Sequence, residues 1–507
     1  MNNNDKYTWF VKTPIDIVEI ILDNVEYSGN SILESTILDP AAWDGNFLVP
    51  ILKRIIQEAK KQSKDNEEIK QILNNQIHAW ELSEELLIMA KWRLNSILDA
   101  EWIGWIGWNQ FKVVNSIIEW NKKEHKWEFD YIVWNPPYIR IQNLEEEDRQ
   151  IIRDNSTLCK KGSMDIYIPF FELGFNMLAK NGKLGYITPN TLLKTQSAKG
   201  LRNFLLNDTN ILKLIDFKEH QVFDATTYSL ITIVENSDID NSKIELFYSN
   251  DKLEIEKVWN INLKEQWEST WNLLPEDIND RVKEIENRWV QLWNYARIST
   301  WLATLADDIY INKIIDYNKD NKIQTIITKD LKEYKIETAI LKKIIKASKL
   351  KKVTDDQKLF ILFPYIKNEE WKHKIIDEDT LKTNYPLAYQ YFIDNKKRLL
   401  ARDKWKLNPV AWYAFWRSQW LDNSFWKKIL TSTMNKKPNF LYLDDEDTTY
   451  IAWYSVVLPD WTNKDLILKQ LNSEDMEFYI NNTSRDYRGW YKSYAKSFLK
   501  TFWIKSK

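Results

Sequence analysis

FDYIVWNPPY, residues 129–138, is the stretch whose reading decides the fold. Its first six residues are apolar, aromatic or β-branched and have the length of a buried strand. Pro136 and Pro137 stop it, because neither can donate to a ladder. Asn-Pro-Pro-Tyr in isolation is also a rigid surface turn. Placed directly after a buried strand between helical segments, it points instead to a site at a strand end.

The segments on either side supply those helices and further strands. IDIVEIILDNV (15–25) has helical periodicity, and SILESTILDP (31–40) leads into a strand that ends at Asp39 and Pro40. Residues 57–76 are polar and rich in Lys and Glu, predicting a solvated helix and loop. NNQIHAWEL (74–82) predicts a strand and SEELLIMAKWRL (83–94) a helix with Ser83 as N-cap. FKVVNSII (111–118), LGYITP (184–189) and LITIV (230–234) predict further strands. Strands alternating with helices imply an α/β domain with a mostly parallel sheet over 1–240. The polar run NSDIDNSKIELFYSNDK (236–252) marks the boundary, and 241–507 predicts a separate α+β domain.

Composition narrows the function classes. With 44 % hydrophobic and 28 % charged residues in 507, the chain is globular and neither disordered nor fibrous. A net charge of -2 excludes a uniformly basic protein, so nucleic-acid contacts must come from local patches. One cysteine, Cys159, excludes a disulfide scaffold and a cysteine-based zinc site, and no metal requirement is expected. No signal peptide and no apolar run of about 18 residues is present, so a cytoplasmic protein without a membrane partner is expected.

Four pieces that carry chemistry occur in an informative order. TWFVKTP (8–14) precedes the first helix. DPAAWDGNFL (39–48) follows the first strand, where a glycine-containing turn lets backbone N–H groups approach a nucleoside. Glu81 ends the next strand, where a carboxylate can accept both ribose hydroxyls. Asn135-Pro136-Pro137-Tyr138 comes last. Alone, the Asp-Pro is commonly a turn and Glu81 commonly a solvated carboxylate. Their order on these elements makes chance a poor explanation.

This order resembles the adenine-N6 DNA methyltransferases of restriction–modification systems, in the gamma arrangement with cofactor motifs before the catalytic one. The resemblance continues through YIRIQNLEEEDR, GSMDIYIPFFELGF, GKLGYITPNTLLKT and QVFDATTYSLITIVE and covers nearly all of the first 235 residues. LFPYIK, AWYAFWRSQWLDN, LNSE and RGWYKSYAKSF resemble, more weakly, a TaqI-like specificity domain.

The resemblance implies a Rossmann-like domain that uses S-adenosyl-L-methionine, followed by a target-recognition domain that binds duplex DNA. It implies Asn135, Pro136, Pro137 and Tyr138 as catalytic residues, with Asn135 and the Pro136 carbonyl accepting the two N–H groups of a flipped adenine amine. Tyr138 would stack on that base and Phe223 cover its other face, with Tyr228 in reserve. Thr13, Asp39, Ala41, Asp44 and Glu81 match its cofactor motifs. Where the family carries an Asp against the cofactor's adenine, this chain has Asn115 and Ser116, and Ser116 takes the role.

The runs 342–352 and 396–406, the first including Lys346, are candidates for phosphate contacts or for solvated faces. Arg417, Ser418 and Gln419 are candidates for contacts to backbone or bases. A stand-alone modification enzyme is expected, with any restriction endonuclease encoded separately. A protein-glutamine or RNA methyltransferase and an inactive DNA-binding subunit are the alternatives.

One compositional feature remains. The chain has 10 glycines and 26 tryptophans, whereas roughly 35 glycines are ordinary for this length. Trp9, Trp43, Trp134, Trp301, Trp416, Trp420, Trp453 and Trp490 stand where the resembled motifs carry glycine. UGA codons read as glycine in the cell but translated as tryptophan would account for both counts. The expectation is tight turns beneath some of these indoles.

Overall fold

A computed structural model describes residues 12–505 apart from 121–127, 161, 163, 219, 224–227, 251, 265–269, 301, 347–357, 371, 418–420, 452 and 488. Trp9, Trp301, Ser418, Gln419 and Trp420 lie outside the described residues, as does the second half of the 342–352 run. The chain divides into two units, Met1–Glu276 and Asp277–Lys507.

The first unit is α/β. Among the described residues its elements are α1 (Ile15–Asn24), β1 (Ile37–Asp39), α2 (Leu48–Lys61), α3 (Asn66–Gln76), β2 (Ile77–Glu81), α4 (Glu84–Ala100), β3 (Phe111–Val113), α5 (Ser116–Glu119), β4 (Phe129–Trp134), α6 (Glu146–Asn155), α7 (Tyr167–Asn176), β5 (Leu178–Pro189), α8 (Lys199–Asp208), β6 (Asn210–Asp216), β7 (Ser229–Glu235), β8 (Ile244–Ser249) and β9 (Ile255–Ile261). The nine strands form one sheet in the order β3-β2-β1-β4-β5-β7-β6-β8-β9. β3, β2, β1, β4 and β5 run parallel, and β7 enters antiparallel between β5 and β6. Strand order reverses where β1 meets β4, so a crevice opens at their carboxyl ends.

Three expectations need correction. The boundary at 240 falls too early: β8 pairs parallel with β6, and β9 pairs with β8, so the sheet consumes the chain to Ile261. The polar look of 236–252 misled because β8 lies near the sheet edge and alternates buried with half-exposed residues. The stretch 57–76 holds the last turn of α2, a short loop at 62–65 and a second helix, α3, so it has the expected helix and loop but its first residues belong to a longer helix. α2 is an amphipathic core helix burying Leu48, Ile51, Leu52, Ile55 and Ile56, and α3 is closed by a capping box between Asp65 and Glu68. β3 is also shorter than FKVVNSII, because the Asn115 side chain accepts the Ile117 N–H and caps α5.

α1 positions the start of the described chain. It buries Ile17, Val18, Ile21 and Leu22 and packs on β5 at Gly185. A Cβ at Gly185 would lie 2.7 Å from Val25 Cγ1 and 2.8 Å from Ile21 Cγ2, so only glycine admits this approach.

The second unit is α+β, as expected. Among its described residues, Arg297–Thr300, Trp453–Val457, Lys428–Ser432 and Phe440–Leu443 form an antiparallel four-stranded sheet. A six-stranded sheet includes Ile311–Lys313, Leu341–Lys346 and Leu359–Leu362. Helices Glu378–Asn384, Pro386–Asp394, Lys464–Leu471 and Glu474–Thr483 are among those of the unit. Among the described residues, no helix of the chain is long and apolar enough to cross a membrane.

Gly185→Ala is expected to destabilise the first unit by about 1–3 kcal/mol, the usual cost of forcing a methyl into a packed core. Urea unfolding measures it, and an unchanged midpoint would show that α1 does not depend on this close approach.

Candidate active site

The reversal point holds a cavity of about 290 Å³. Its lining includes Thr13, Asp39, Ala41, Asp44, Asn135, Pro136, Pro137 and Tyr138, so one space gathers residues predicted from three separate motifs. Lys12, Ala42, Trp43, Asn46, Phe47, Leu86, Met89 and Trp134 complete the wall.

β1 and β4 bring the two halves together. They pair parallel, Ile37 beside Tyr131 and Leu38 beside Ile132, so Asp39 and Asn135 emerge at the same end. Asp130 fixes that register: its Oδ2 accepts the Thr36 N–H at 2.8 Å and the Thr36 hydroxyl at 3.0 Å. At the outlet, the Asn135 Nδ2 donates to Thr13 Oγ1 at 3.0 Å, which presents the Asn135 oxygen as an acceptor. Thr13 therefore holds the Asn-Pro-Pro-Tyr turn from the residue that precedes α1 and its Pro14 cap.

Asp39 and Glu81 are 2 % and 7 % exposed. Burial holds Asp39 well above the ordinary carboxylate range, against the Ala41 N–H that its Oδ1 accepts and with the nearby Glu81 adding to the rise. Burial likewise raises Glu81, opposed by backbone N–H groups. Glu81 does not line the cavity. Its Oε2 accepts the Trp43 N–H and its Oε1 the Ser83 N–H, both at 3.0 Å, so the carboxylate closes the loop after β1 onto the start of α4.

Ser116 also stands back from the cavity. It is buried, and its hydroxyl donates to the Pro40 carbonyl. Asp44 lies between Lys12 and Arg93, each nitrogen 3.7 Å from its Oδ2.

Phe223 reaches Tyr138, with ring centroids 6.0 Å apart and planes inclined by 74°. A base held between two rings needs them parallel and separated, whereas these two rings meet edge to face. The Tyr138 hydroxyl donates to the Ile187 carbonyl at 3.4 Å. Tyr228 lies outside the cavity lining.

Trp134 does not disturb the turn beside it. Its indole goes into the core against Phe170, at 4.0 Å between centroids, and its Nε1 donates to the Ala41 carbonyl. Leu86 and Met89 were not legible as site residues. They are ordinary members of an amphipathic helix and join the wall only because α4 starts directly after Glu81.

In the second unit, the described cations of the basic runs divide between surface and interior, with Lys343, Lys397, Arg398 and Lys406 exposed. Lys346 ends a core strand whose Ile344 and Ile345 are buried. Arg402 is 5 % exposed and donates to the carbonyls of Leu399, Thr304, Ala414 and Trp412. Arg398 pairs with Asp308, and Lys396 lies over the Trp412 ring at 4.7 Å. Arg417 is exposed, and its backbone N–H donates to the Ala303 carbonyl at 3.0 Å.

Residues 33–223 match the family described as Eco57I restriction-modification methylase. The chain is similar in sequence to methyltransferases of restriction–modification systems. It is 23 % identical to the type II methyltransferase M.BstVI of Geobacillus stearothermophilus over 96 % of this chain and 87 % of that one. It is 27 % identical to the type II restriction enzyme and methyltransferase RM.Eco57I of Escherichia coli over 72 % of this chain, and that alignment spans only 39 % of the longer enzyme. The type IIL restriction-modification enzyme MmeI, solved in complex with DNA, shares the fold with a TM-score of 0.61 and 13 % identity over 97 % of this chain and 66 % of that one.

The raised Asp39 carboxyl has a measurable consequence. The folded chain binds this proton more readily than the unfolded chain, so the carboxyl's contribution to stability is fully present below the unfolded value. It is lost as pH rises through the higher folded value. Asp39→Asn keeps an oxygen for the Ala41 N–H and removes the buried charge. It is expected to unfold at higher urea than the parent at neutral pH, with the gap closing in acid. A gap that does not vary with pH would contradict this.

Proposed function

We propose that this chain transfers a methyl group from S-adenosyl-L-methionine to the N6 amine of a flipped adenine in a specific duplex DNA site, as the modification enzyme of a restriction–modification system. The observation that carries this reading is the single cavity shared by the Asp39–Phe47 loop and the Asn135–Tyr138 turn.

The donor set fits this cofactor. Asp39 and Asp44 are carboxylates suited to an ammonium group, while Phe47, Leu86 and Met89 give an apolar wall suited to a purine. Glu81 would meet ribose hydroxyls only after exchanging its bonds to the loop, and Ser116 only after leaving the Pro40 carbonyl. When bound, the cofactor supplies an electrophilic methyl group on a sulfonium.

The chain's own residues deal with a weak nucleophile. The lone pair of the adenine amine is delocalised into the ring, and in a duplex the amine is stacked and paired, so the base must leave the helix. The Asn135 oxygen and the Pro136 carbonyl accept its two N–H bonds and favour a pyramidal nitrogen. Thr13 keeps Asn135 turned so that its oxygen is offered. The prolines restrict the backbone that carries the second acceptor. No strong base is required, because positioning and hydrogen bonding provide the stabilisation. Tyr138 and Phe223 turn out of their edge-to-face contact to stack on the base, worth about 1–3 kcal/mol per aromatic face.

Labelled methyl transfer is to be measured side by side on duplex DNA, RNA and protein. Adenine in duplex DNA is the expected acceptor. Transfer to RNA or to glutamine instead, or to none of the three, overturns the reading. Asn135→Ala is expected to lower transfer by at least about 10²-fold, the usual cost of removing one preorganised group, with cofactor affinity nearly unchanged.

A further inference from the structure

The backbone discriminates among the tryptophans. Among the described residues, thirteen that are not glycine have positive φ, and four of these are Trp43, Trp102, Trp108 and Trp490. Tryptophan makes up 26 of 507 residues, so its share of these positions is several times its share of the chain. Positive φ brings a Cβ against the adjoining carbonyl, which makes it an outlier for a bulky side chain and ordinary for glycine.

Three of the four indoles sit in turns that glycine normally fills. Trp102 has φ 61° and follows the last turn of α4. Its N–H donates to the Asp99 carbonyl at 3.1 Å, and the Ile103 N–H donates to the Leu98 carbonyl at 2.9 Å. That is the Schellman pattern with Trp102 at the position where glycine predominates. The Trp102 side chain is 88 % exposed and so gains little by packing.

Trp490 has φ 65° directly after Gly489 at φ 83°, in the hairpin joining Asp486–Tyr487 to Tyr491–Ser493. Two successive positive φ values favour glycine or asparagine, and this indole is 83 % exposed. Trp43 has φ 55° in the loop between β1 and α2, where its N–H is held by Glu81 and the residue lines the cavity.

Trp108 behaves otherwise. It is 1 % exposed, its Nε1 donates to Asn95 Oδ1, and its ring lies 4.9 Å from that of Phe111. Trp80 and Trp271 are fully buried and absent from the positive-φ set. These indoles fill core space.

We infer that positions 43, 102 and 490 carry glycine in the molecule the cell makes, through UGA codons read as glycine. The Glu81 bond to the backbone of residue 43 survives the change, because it uses only the main-chain N–H. What disappears is the indole of a residue lining a cavity whose 290 Å³ lies at the low end of small-molecule sites. The glycine form therefore has a wider cofactor site beside an unchanged loop. This consequence for the site rests on the proposed methyltransferase function, whereas the residue identities do not.

Peptide mass spectrometry of the protein purified from its own cells tests the identities. The tryptic peptide spanning 13–53 contains tryptophan only at position 43. Glycine masses at 43, 102 and 490 are expected, and a tryptophan mass at any of the three overturns the assignment there. Calorimetry on recombinant chains tests the consequence. Trp43→Gly is expected to bind S-adenosyl-L-methionine at least tenfold more tightly than the chain as written, and equal measurable affinities overturn the claim that the indole obstructs the site. Glycine masses with no binding by either chain would uphold the assignment and sink the methyltransferase reading instead.

Discussion

The pairing of β1 with β4 is the constraint on which the site depends. A strand slipped by one residue presents every side chain to the opposite face. Here the slip is opposed at the entry by Asp130, which binds both the N–H and the hydroxyl of Thr36. Three residues beyond Thr36 stands Asp39, and five beyond Asp130 stands Asn135. A clamp at one end of two short parallel strands thus sets which residues meet at the other. Gly185 contributes from the side. By letting α1 approach β5, it allows Thr13 to reach Asn135.

The same outlet concentrates buried carboxylates. Asp39 and Glu81 are held by backbone N–H groups of Ala41, Trp43 and Ser83, with no cation bonded to either among the described contacts. Main-chain dipoles stabilise a charge without the bulk of a lysine or arginine, which leaves the cavity open. They also stiffen the loop, since each bond ties the backbone to a strand end. Burial opposes ionisation at both residues, so a charge on either costs stability, a cost that a ligand carrying positive charge or hydroxyl groups would offset.

Much of this was legible in the sequence because it depends on local chemistry. The strand 129–134, the Ser83 cap, the Asp39 outlet and the Asn-Pro-Pro-Tyr turn are signalled by periodicity, capping and proline. Where the sequence misled, distant partners decided the outcome. The polar stretch after Glu235 contains a strand, β8, because β6 offers an edge. Glu81 and Ser116 had the right residue types in the right order, but their actual partners are the backbone at Trp43 and Ser83 and the carbonyl of Pro40. A side chain's direction depends on what packs around it, and no spacing rule encodes that. Leu86 and Met89 show the converse, since their role follows wholly from where α4 begins.

One basic residue of the second unit acts inside the fold rather than at its surface. The run 396–406 holds six cations against one acid, which suits phosphates on paper. Arg402 instead turns inward and binds four carbonyls, two of them in the Trp412–Phe415 segment. Tyr310 donates to the Tyr413 carbonyl at 2.8 Å, and Tyr365 accepts the Phe415 N–H at 2.8 Å. An irregular buried segment leaves main-chain groups that no strand ladder satisfies, and here side chains of fixed geometry satisfy them. A planar guanidinium with five donors is well matched to that task, which a lysine could not repeat. The cation at Arg402 therefore braces the backbone leading to Arg417 and helps to fix the shape of that segment.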